Sequence, residues 1–468
     1  MTFDRHSWQG GAISADGLTD EESKMMERLC ADYDRYLFGN EEKLRFYNDE
    51  VSVDGYDTRV PKELRKVRVS IGACAKAVNM LARRSIFDGF TIGESKTSLM
   101  DDIVGANSFD TQYAMAVPSE LTHGFGVWTV SPGDTRIGEP KAVVNYHDPL
   151  ECSVVWDYRR RRVKYGMVIE DVERVKPHSP LEPVFIVLHT DHDVVEISRD
   201  VNSENWTAVH KPHAMGQPMM VAMRYQPTKA QPLGKSRVSK TMRSLTIQMM
   251  LATYNMMAHD QYCSIPQKWI LGLSEEQLDA LMGREELASA KSMFLATVND
   301  EGTIPTAGAW QSSGVTEHTQ VLENIAQRMA SESDLPLSAF GVLGSNYTSS
   351  DALNAASHDL VILAEALNRT NKEALTLVAK MALCVAQDKP WSDLTEEEQA
   401  VTVHFRDPSM LSASQVADAM LKICTTVPGF AGTDVYWERL GFDEDERRRV
   451  KAELAENQQL AIAASVFA

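Results

Sequence analysis

Leu335-Pro-Leu-Ser-Ala-Phe-Gly-Val-Leu-Gly-Ser-Asn-Tyr-Thr-Ser-Ser350 is a stretch of sixteen residues without a single charge, and it runs directly into Asp351-Ala-Leu-Asn-Ala-Ala356. Thr348 with Asp351 reads as a capping box. From there no Pro or Gly occurs until Pro390. Asp351 to Ala386 is 36 residues, a predicted helix of roughly 54 Å at 1.5 Å per residue and about three times the usual length. An uncharged glycine-containing loop feeding so long a helix decides how the rest of the chain is read.

Upstream of the loop, Thr316 to Ser333 predicts a helix with Val321, Leu322, Ile325 and Met329 on one face, stopped by Leu335-Pro336. Two strand-like pieces, Lys268–Leu273 and Met293–Val298, bracket a short Glu/Leu helix near 274–290. Before them Ser239 to Cys263 is uninterrupted and carries Met242, Met249, Met250, Met256 and Met257, ended by Pro266. Methionine at that density fits core or subunit packing.

Between 110 and 225 the texture is antiparallel β. Val127–Val130, Ala142–Tyr146, Ser153–Trp156, Tyr165–Glu170, Val184–His189, Val194–Ser198 and Met219–Tyr225 alternate or run apolar between Gly, Pro and Asp. At the N-terminal end, residues 1–18 read as a loose arm ahead of a capping box, Thr19 and Glu22. The helix that follows carries Met25, Met26, Leu29, Tyr33, Tyr36 and Leu37 and is expected to stop at Gly39. A second helix, Lys/Arg-sprinkled, is predicted over about 67–94. Beyond 411 two or three more helices are expected, one entered at Ser412/Gln415 and one at Asp443/Glu446. The fold class is α+β.

At 468 residues the chain has room for two to four domains and large cores. Lys and Arg number 47 against 66 Asp and Glu, a net charge of −19. Such a surface repels polyanions, which argues against gripping nucleic acid but not against letting it pass. Six cysteines (30, 74, 152, 263, 384 and 424) stand singly, with no CxxC or zinc-type spacing, which points to a reduced setting. The N-terminus lacks an apolar leader, and no apolar run reaches the ~18–20 residues of a membrane span. A soluble protein made in the cytoplasm is expected, with no membrane partner.

Three short motifs compete for a chemical role. Gly234-Lys235-Ser236 ends like a phosphate-binding loop, but the glycine needed five places earlier is Lys229, and Pro232 intervenes. The alternative function, a nucleotide-binding enzyme, rests on these three residues. His189-Thr-Asp191-His192-Asp193 resembles a metal cluster, yet on a strand His192 faces away from the others. Arg159, Arg160, Arg161 and Arg162, between Trp156 and Tyr165, read as an exposed hairpin tip able to meet a phosphate backbone or an acidic partner. No carboxylate pair suggests acid–base work. No catalytic residue, metal or cofactor is expected.

The order of the elements resembles the portal proteins of tailed bacteriophages, of the siphophage type found in phages of actinobacteria. The blocks that carry the resemblance are the Tyr33–Tyr47 entry, Asp88-Gly89-Phe90, Val154-Val155-Trp156-Asp157 with its arginines, and Gly234-Lys-Ser-Arg-Val-Ser-Lys240. Ile265-Pro-Gln-Lys-Trp-Ile-Leu-Gly272 and Ala330-Ser-Glu-Ser-Asp-Leu-Pro-Leu-Ser338, through Asn346 to the long-helix start, complete them. Where the family often has Asn-Pro-Ser-Ser, this chain has Asn346-Tyr347-Thr348-Ser349.

The resemblance implies a portal-protein fold: a wing over 19–238 of helices then antiparallel β, a first stem helix over 239–263, and a small α/β clip over 264–315. It continues with a second stem helix over 316–334, a tunnel loop over 335–347, a long tunnel and wing helix over 348–386, a wing return segment over 387–410, and a helical crown over 411–468. It implies a homododecameric ring at one capsid vertex of the virion, channelling double-stranded DNA in packaging and ejection. The terminase large subunit, the head–tail adaptor, and the major capsid and scaffold proteins are the implied partners. Leu343, Gly344, Ser345, Asn346 and Tyr347 are the expected DNA-channel residues.

Overall fold

The computed structural model describes residues 13–54, 67–92, 98–174, 181–200, 205–263, 268–273, 276, 293–297, 306–309, 314–341, 358–409, 413–442, 446–447 and 449–454. Residues 1–408 and 409–468 form two compact units.

The first unit opens with a two-residue strand, β1 (Ala15–Asp16), and the helix α1 (Asp20–Tyr47). Thr19 caps α1 with both arms of the capping box: its hydroxyl accepts from Glu22 N, and Glu22 returns to Thr19 N. The helix does not stop at Gly39. Its last turns are anchored by Lys43 Nζ on His123 O at 3.2 Å, Tyr47 Oη on Asn79 Oδ1 at 2.9 Å and a buried Phe46. These outweigh the ~1 kcal/mol that an internal glycine costs.

After the short ribbon β2 (Val53–Asp54) and β3 (Arg68–Val69), helix α2 covers only Ala73–Ala82, much shorter than the 67–94 expected. The Phe-Asp-Gly-Phe that follows is not a helix end but strand β4 (Phe87–Thr91). Helices α3 (Ser98–Ala106) and α4 (Phe109–His123) follow, although β structure was expected from residue 110. Phe109, Tyr113, Ala116, Val117, Glu120 and Leu121 are all buried at helical spacing on α4. Pro118 lies within α4 without ending it.

The β region then forms as read: β5 (Phe125–Pro132), β6 (Ala142–His147), β7 (Cys152–Asp157), β8 (Arg162–Arg174), β9 (Leu181–His189), β10 (Asp193–Ser198), β11 (Trp206–Pro212) and β12 (Met220–Arg224). β11 was not anticipated. Six strands make one sheet, in the order β1-β11-β10-β9-β8-β7, and three make another, β12-β5-β6. α1 lays Met26, Leu29, Cys30 and Tyr33 on the larger sheet against Met167, Ile186, Leu188 and Ile197. Val127, Val154, Val168 and Met220 fill the space between the two sheets.

Two helices, α5 (Lys240–Cys263) and α6 (Thr316–Ser333), flank a small mixed sheet. In it β13 (Lys268–Leu273) pairs parallel with β14 (Met293–Thr297) and antiparallel with β15 (Thr306–Ala309). β15 was not foreseen, and the helix expected near 274–290 falls almost wholly outside the described residues. A short 3-10 turn, Leu337–Phe340, follows α6.

The long helix α7 is seen over His358–Ala386, 29 residues and roughly 44 Å. It buries Leu360, Ala364, Leu367, Leu375, Val378 and Ala379 across the smaller sheet. The capping box at Thr348 and Asp351 lies outside the described residues. A one-turn helix, α8 (Glu396–Gln399), leads to β16 (Thr402–Phe405), which pairs antiparallel with β4. The second unit contains α9 (Ala413–Thr426) and α10 (Asp434–Arg439), with Phe430, Tyr436, Trp437 and Phe442 packed edge to face.

Candidate functional site

The residues that resemble a phosphate loop sit at the root of the α5–α6 pair, where the C-terminus of α4 ends. A helix leaves its last carbonyls without intrahelical partners, and this chain satisfies those of α4 one by one. Gly124, at φ 107°, caps with its N–H on Glu120 O at 2.6 Å. Leu121 O accepts from Arg237 N at 2.8 Å, Thr122 O from Ser236 Oγ at 2.5 Å, and His123 O from Lys43 Nζ at 3.2 Å. Lys235 N donates to Tyr225 O at 2.8 Å, and Gly234 N to Gln231 O at 3.1 Å. The approach is close enough that a Cβ on Gly234 would lie 2.3 Å from Gly124 O.

Gly234-Lys235-Ser236-Arg237 is therefore a strap whose donors are consumed by protein carbonyls. A phosphate cradle needs those same N–H groups free and pointing at an anion. Here Gly234 N and Lys235 N are spent on Gln231 O and Tyr225 O, and Ser236 Oγ and Arg237 N on the last carbonyls of α4, so the nucleotide reading of Gly234, Lys235 and Ser236 loses its geometry. The Lys235 side chain is exposed and has no partner among the described residues.

Arg237 carries the strap across to α2 and α6. Its guanidinium is buried, at 8% exposure. Nε donates to Ala77 O of α2 at 2.5 Å, Nη1 to Tyr225 Oη at 3.0 Å, and Nη2 to Ser333 O, the last residue of α6. A cation at that position complements the α6 dipole. Lys43 is half-buried nearby, and desolvation, with Arg243 adding repulsion, pulls its pKa down to about 8. His123 is pulled down to about 3 by burial and by Lys43, so it stays neutral.

α5 and α6 run antiparallel and are pinned at both ends. Ser239 Oγ donates to Glu332 Oε1 at 2.9 Å at the root, and the His259 and His318 rings lie 4.9 Å apart at the far end. Arg243 pairs with Glu42 of α1, and Thr246 lies 3.5 Å from Cys74 Sγ of α2. Met242, Leu245, Met250, Ile325 and Met329 are buried, whereas Ile247, Leu251 and Val321 face outward at 38–50% exposure. Within the small sheet, Trp269 packs where Gly308 leaves room; a Cβ there would be 2.5 Å from the indole.

The four arginines do sit at the β7–β8 hairpin tip. Two are engaged: Arg160 bonds Asp191 at 3.0 Å, and Arg162 bonds Gly216 O at 3.2 Å and the Gln217 side chain. Arg159 and Arg161 are exposed without a side-chain partner among the described residues. Leu343, Gly344, Ser345, Asn346 and Tyr347 lie outside the described residues.

The His189–Asp193 stretch is a strand end and a polar turn, in which Thr190 Oγ1 accepts from Asp193 N at 2.9 Å. Among the described residues no group of three or more His, Cys, Asp or Glu could hold a metal ion. None of their helices is long and apolar enough to cross a membrane.

Sequence reasoning passed over Arg237, Glu120 and Asn371. Each left a trace: Arg237 directly follows Gly-Lys-Ser, and the other two occupy core positions of α4 and α7.

No protein-family model matches the chain. It is 20% identical to the portal protein of Mycobacterium phage L5, covering 87% of this chain and 83% of that protein. It is 21% identical, with the same coverage, to the portal protein of Mycobacterium phage D29. Among solved structures, the necks of native and empty GTA particles, computed with C12 and C6 symmetry, match at TM-scores of 0.42 and 0.44. Both are 12% identical and cover 79% and 80% of this chain, and 89% and 90% of theirs. The resemblance to portal proteins of actinobacterial phages, carried in the sequence by ordered blocks, is thus met over most of both lengths by two portal proteins of mycobacteriophages.

Proposed function

We propose that the chain is a phage portal protein: a ring-forming subunit at one capsid vertex that lets DNA through in packaging and ejection and docks terminase and the head–tail connector. The observation that carries the reading is the alignment with two portal proteins over 87% of the chain. The residues are compatible with it. A ring needs each protomer to present two different complementary faces, and the α5–α6 pair offers outward apolar residues, Ile247, Leu251 and Val321, beyond its own core. Twelve copies at −19 each would repel DNA, which favours passage over capture.

In this reading α5 and α6 are the stem, the β13–β14–β15 sheet belongs to the clip, and α7 continues from the tunnel loop into the wing. The second unit, 409–468, corresponds to the crown. Leu343 to Tyr347 line the narrowest point and touch DNA through Gly, Ser, Asn and Tyr. Arg159 and Arg161 at the hairpin tip contact a phosphate backbone or an acidic partner. The role is structural, with no catalytic site.

Mass photometry of the purified chain, with negative-stain images of the same sample, tests the ring. Particles of about twelve subunits with a central hole are expected; a monomer or dimer at every concentration and salt counts against it. Ser345→Arg tests the loop: packaging or ejection should slow in a salt-dependent way, and unchanged packaging removes that placement.

A further inference from the structure

Asn368 and Asn371 occupy positions on α7 where its spacing calls for apolar residues, and both are buried. They face α4 and the turn after α2 through one continuous polar chain. Ser85 Oγ donates to Asn368 Oδ1 at 2.6 Å, which spends its only proton. Tyr113 Oη, 2.7 Å from Ser85 Oγ, must then be the donor in that pair. Tyr113 Oη in turn accepts from Asn371 Nδ2 at 3.3 Å, and the same amide donates to Glu120 Oε2 at 3.0 Å.

Two atoms are left over. Glu120 Oε1 and Asn371 Oδ1 are buried without a hydrogen-bond partner among the described residues. Both are acceptors while the carboxyl is ionised. Stranded buried acceptors are costly, and here they belong to two groups already joined through their other arms. A proton on Glu120 Oε1 turns that stranded acceptor into a donor, and Asn371 Oδ1 is the unpartnered acceptor of the side chain to which Glu120 is already bonded.

We propose that Glu120 is held as a carboxylic acid whose proton bridges to Asn371, and that this acid–amide pair is a latch that seats α7 on α4 and loosens when the proton leaves. Burial pushes the Glu120 carboxyl up to about 8, against the opposing pull of the Asn371 bond and of Arg224. Arg224 of β12 is the charge that favours ionisation, and it is already shared with Glu373 of α7, Pro232 O and the Trp156 ring, 4.2 Å away. Tyr113, Tyr146 of β6 and Tyr225 also face Glu120, and burial raises all three above the ordinary tyrosine value, so they remain neutral. The latch concerns the seat of one helix and does not rest on the portal reading.

The test uses full-length protein, wild type and Glu120→Gln, stepped from about pH 6 to about pH 10. Infrared difference spectra should show a protonated-carboxyl band near neutral pH that disappears through about pH 8 and is absent from the variant. Amide exchange along α7, corrected for its intrinsic base dependence, should lose protection by up to about tenfold per pH unit as pH rises toward about 8 in the wild type, level off above that point, and stay flat throughout in Glu120→Gln. No protonated-carboxyl band at neutral pH, or the same pH dependence in both proteins, overturns the latch. The wild-type infrared series decides the protonation even if the variant does not fold.

Discussion

Lys235 and Arg237 stand two residues apart, and the strap predicts opposite fates for their substitution. Arg237→Leu keeps the aliphatic volume and removes three donors. Ala77 O lies inside α2, where the helical ladder already uses it. Tyr225 Oη and Ser333 O are different: both residues are buried, at 4% and 2% exposure, and each loses a charged donor. At ~1–3 kcal/mol for each stranded group, the loss should be about 4 kcal/mol, before any α6 dipole contribution. Lys235→Ala keeps the backbone N–H that bonds Tyr225 O and touches only an exposed side chain, so it should stay within ~0.5 kcal/mol. Urea unfolding followed by circular dichroism, at one fixed protomer concentration, separates the two because oligomerisation contributes equally to both. The reasoning fails if Arg237→Leu costs under ~1 kcal/mol, or if Lys235→Ala costs as much as Arg237→Leu. Loss of ATP binding in Lys235→Ala would restore a phosphate role to the segment.

Gly234→Ala should destabilise by at least ~2 kcal/mol in the same assay, since φ is +89° and the new Cβ would sit 2.3 Å from Gly124 O and 2.5 Å from Tyr225 O. Acid should weaken the first unit early. Burial holds His123 and His189 down to about 3 and His147 to about 4. Their folded values lie below the unfolded one, so this stability is present above about pH 6.5 and drains away as pH falls toward 3–4, by up to ~1.4 kcal/mol per pH unit for each. Calorimetric melting temperatures at a series of pH values should show the decline, with a shallower slope in His189→Leu. Glu398 adds to the acid-side loss at lower pH, for a different reason: burial would raise it, but bonds from Lys389 and Thr395 hold it down to about 2. Its stabilisation is lost as pH falls from about 4.5 to about 2. Glu398→Gln, which keeps the capping box but not the ion pair, should cost ~1 kcal/mol at neutral pH by urea unfolding and lessen that acid-side loss.

What the sequence disclosed followed from repetition. The α5, α6 and α7 helices and seven of the β-strands declared themselves because their periods of 3.6 or 2 persist over many residues. The misreadings fell where one residue argued against its neighbours. Gly39 looks like a breaker, yet tertiary bonds at Lys43 and Tyr47 carry α1 past it, and α4 was absorbed into the β texture expected from 110 although a buried apolar face at helical spacing holds it. β4 was mistaken for a helix end because its partner, β16, lies hundreds of residues away and no local pattern announces it. The strap was not visible: Gly-Lys-Ser raised only a phosphate loop lacking its first glycine, and the fold alone shows its donors spent on protein carbonyls. Glu120 and Asn371 were opaque because a buried acid and an amide gain meaning only when brought face to face.

The pairing of β4 with β16 has a consequence for biosynthesis. Arg406 reaches Asp88 across 318 positions, and Arg84 holds Pro408 O across 324. A ribosome adding ~5–20 residues per second leaves β4 without its partner for roughly 15 to 60 s. For that interval the nascent chain exposes an open strand edge, the feature through which neighbouring chains mispair. β4 is only five residues long, and it interrupts its phenylalanines with Asp88 and Gly89, a composition that keeps a waiting edge from recruiting a stranger. The first unit therefore closes only after β16 has been made, so a growing chain cannot complete this part of its core early.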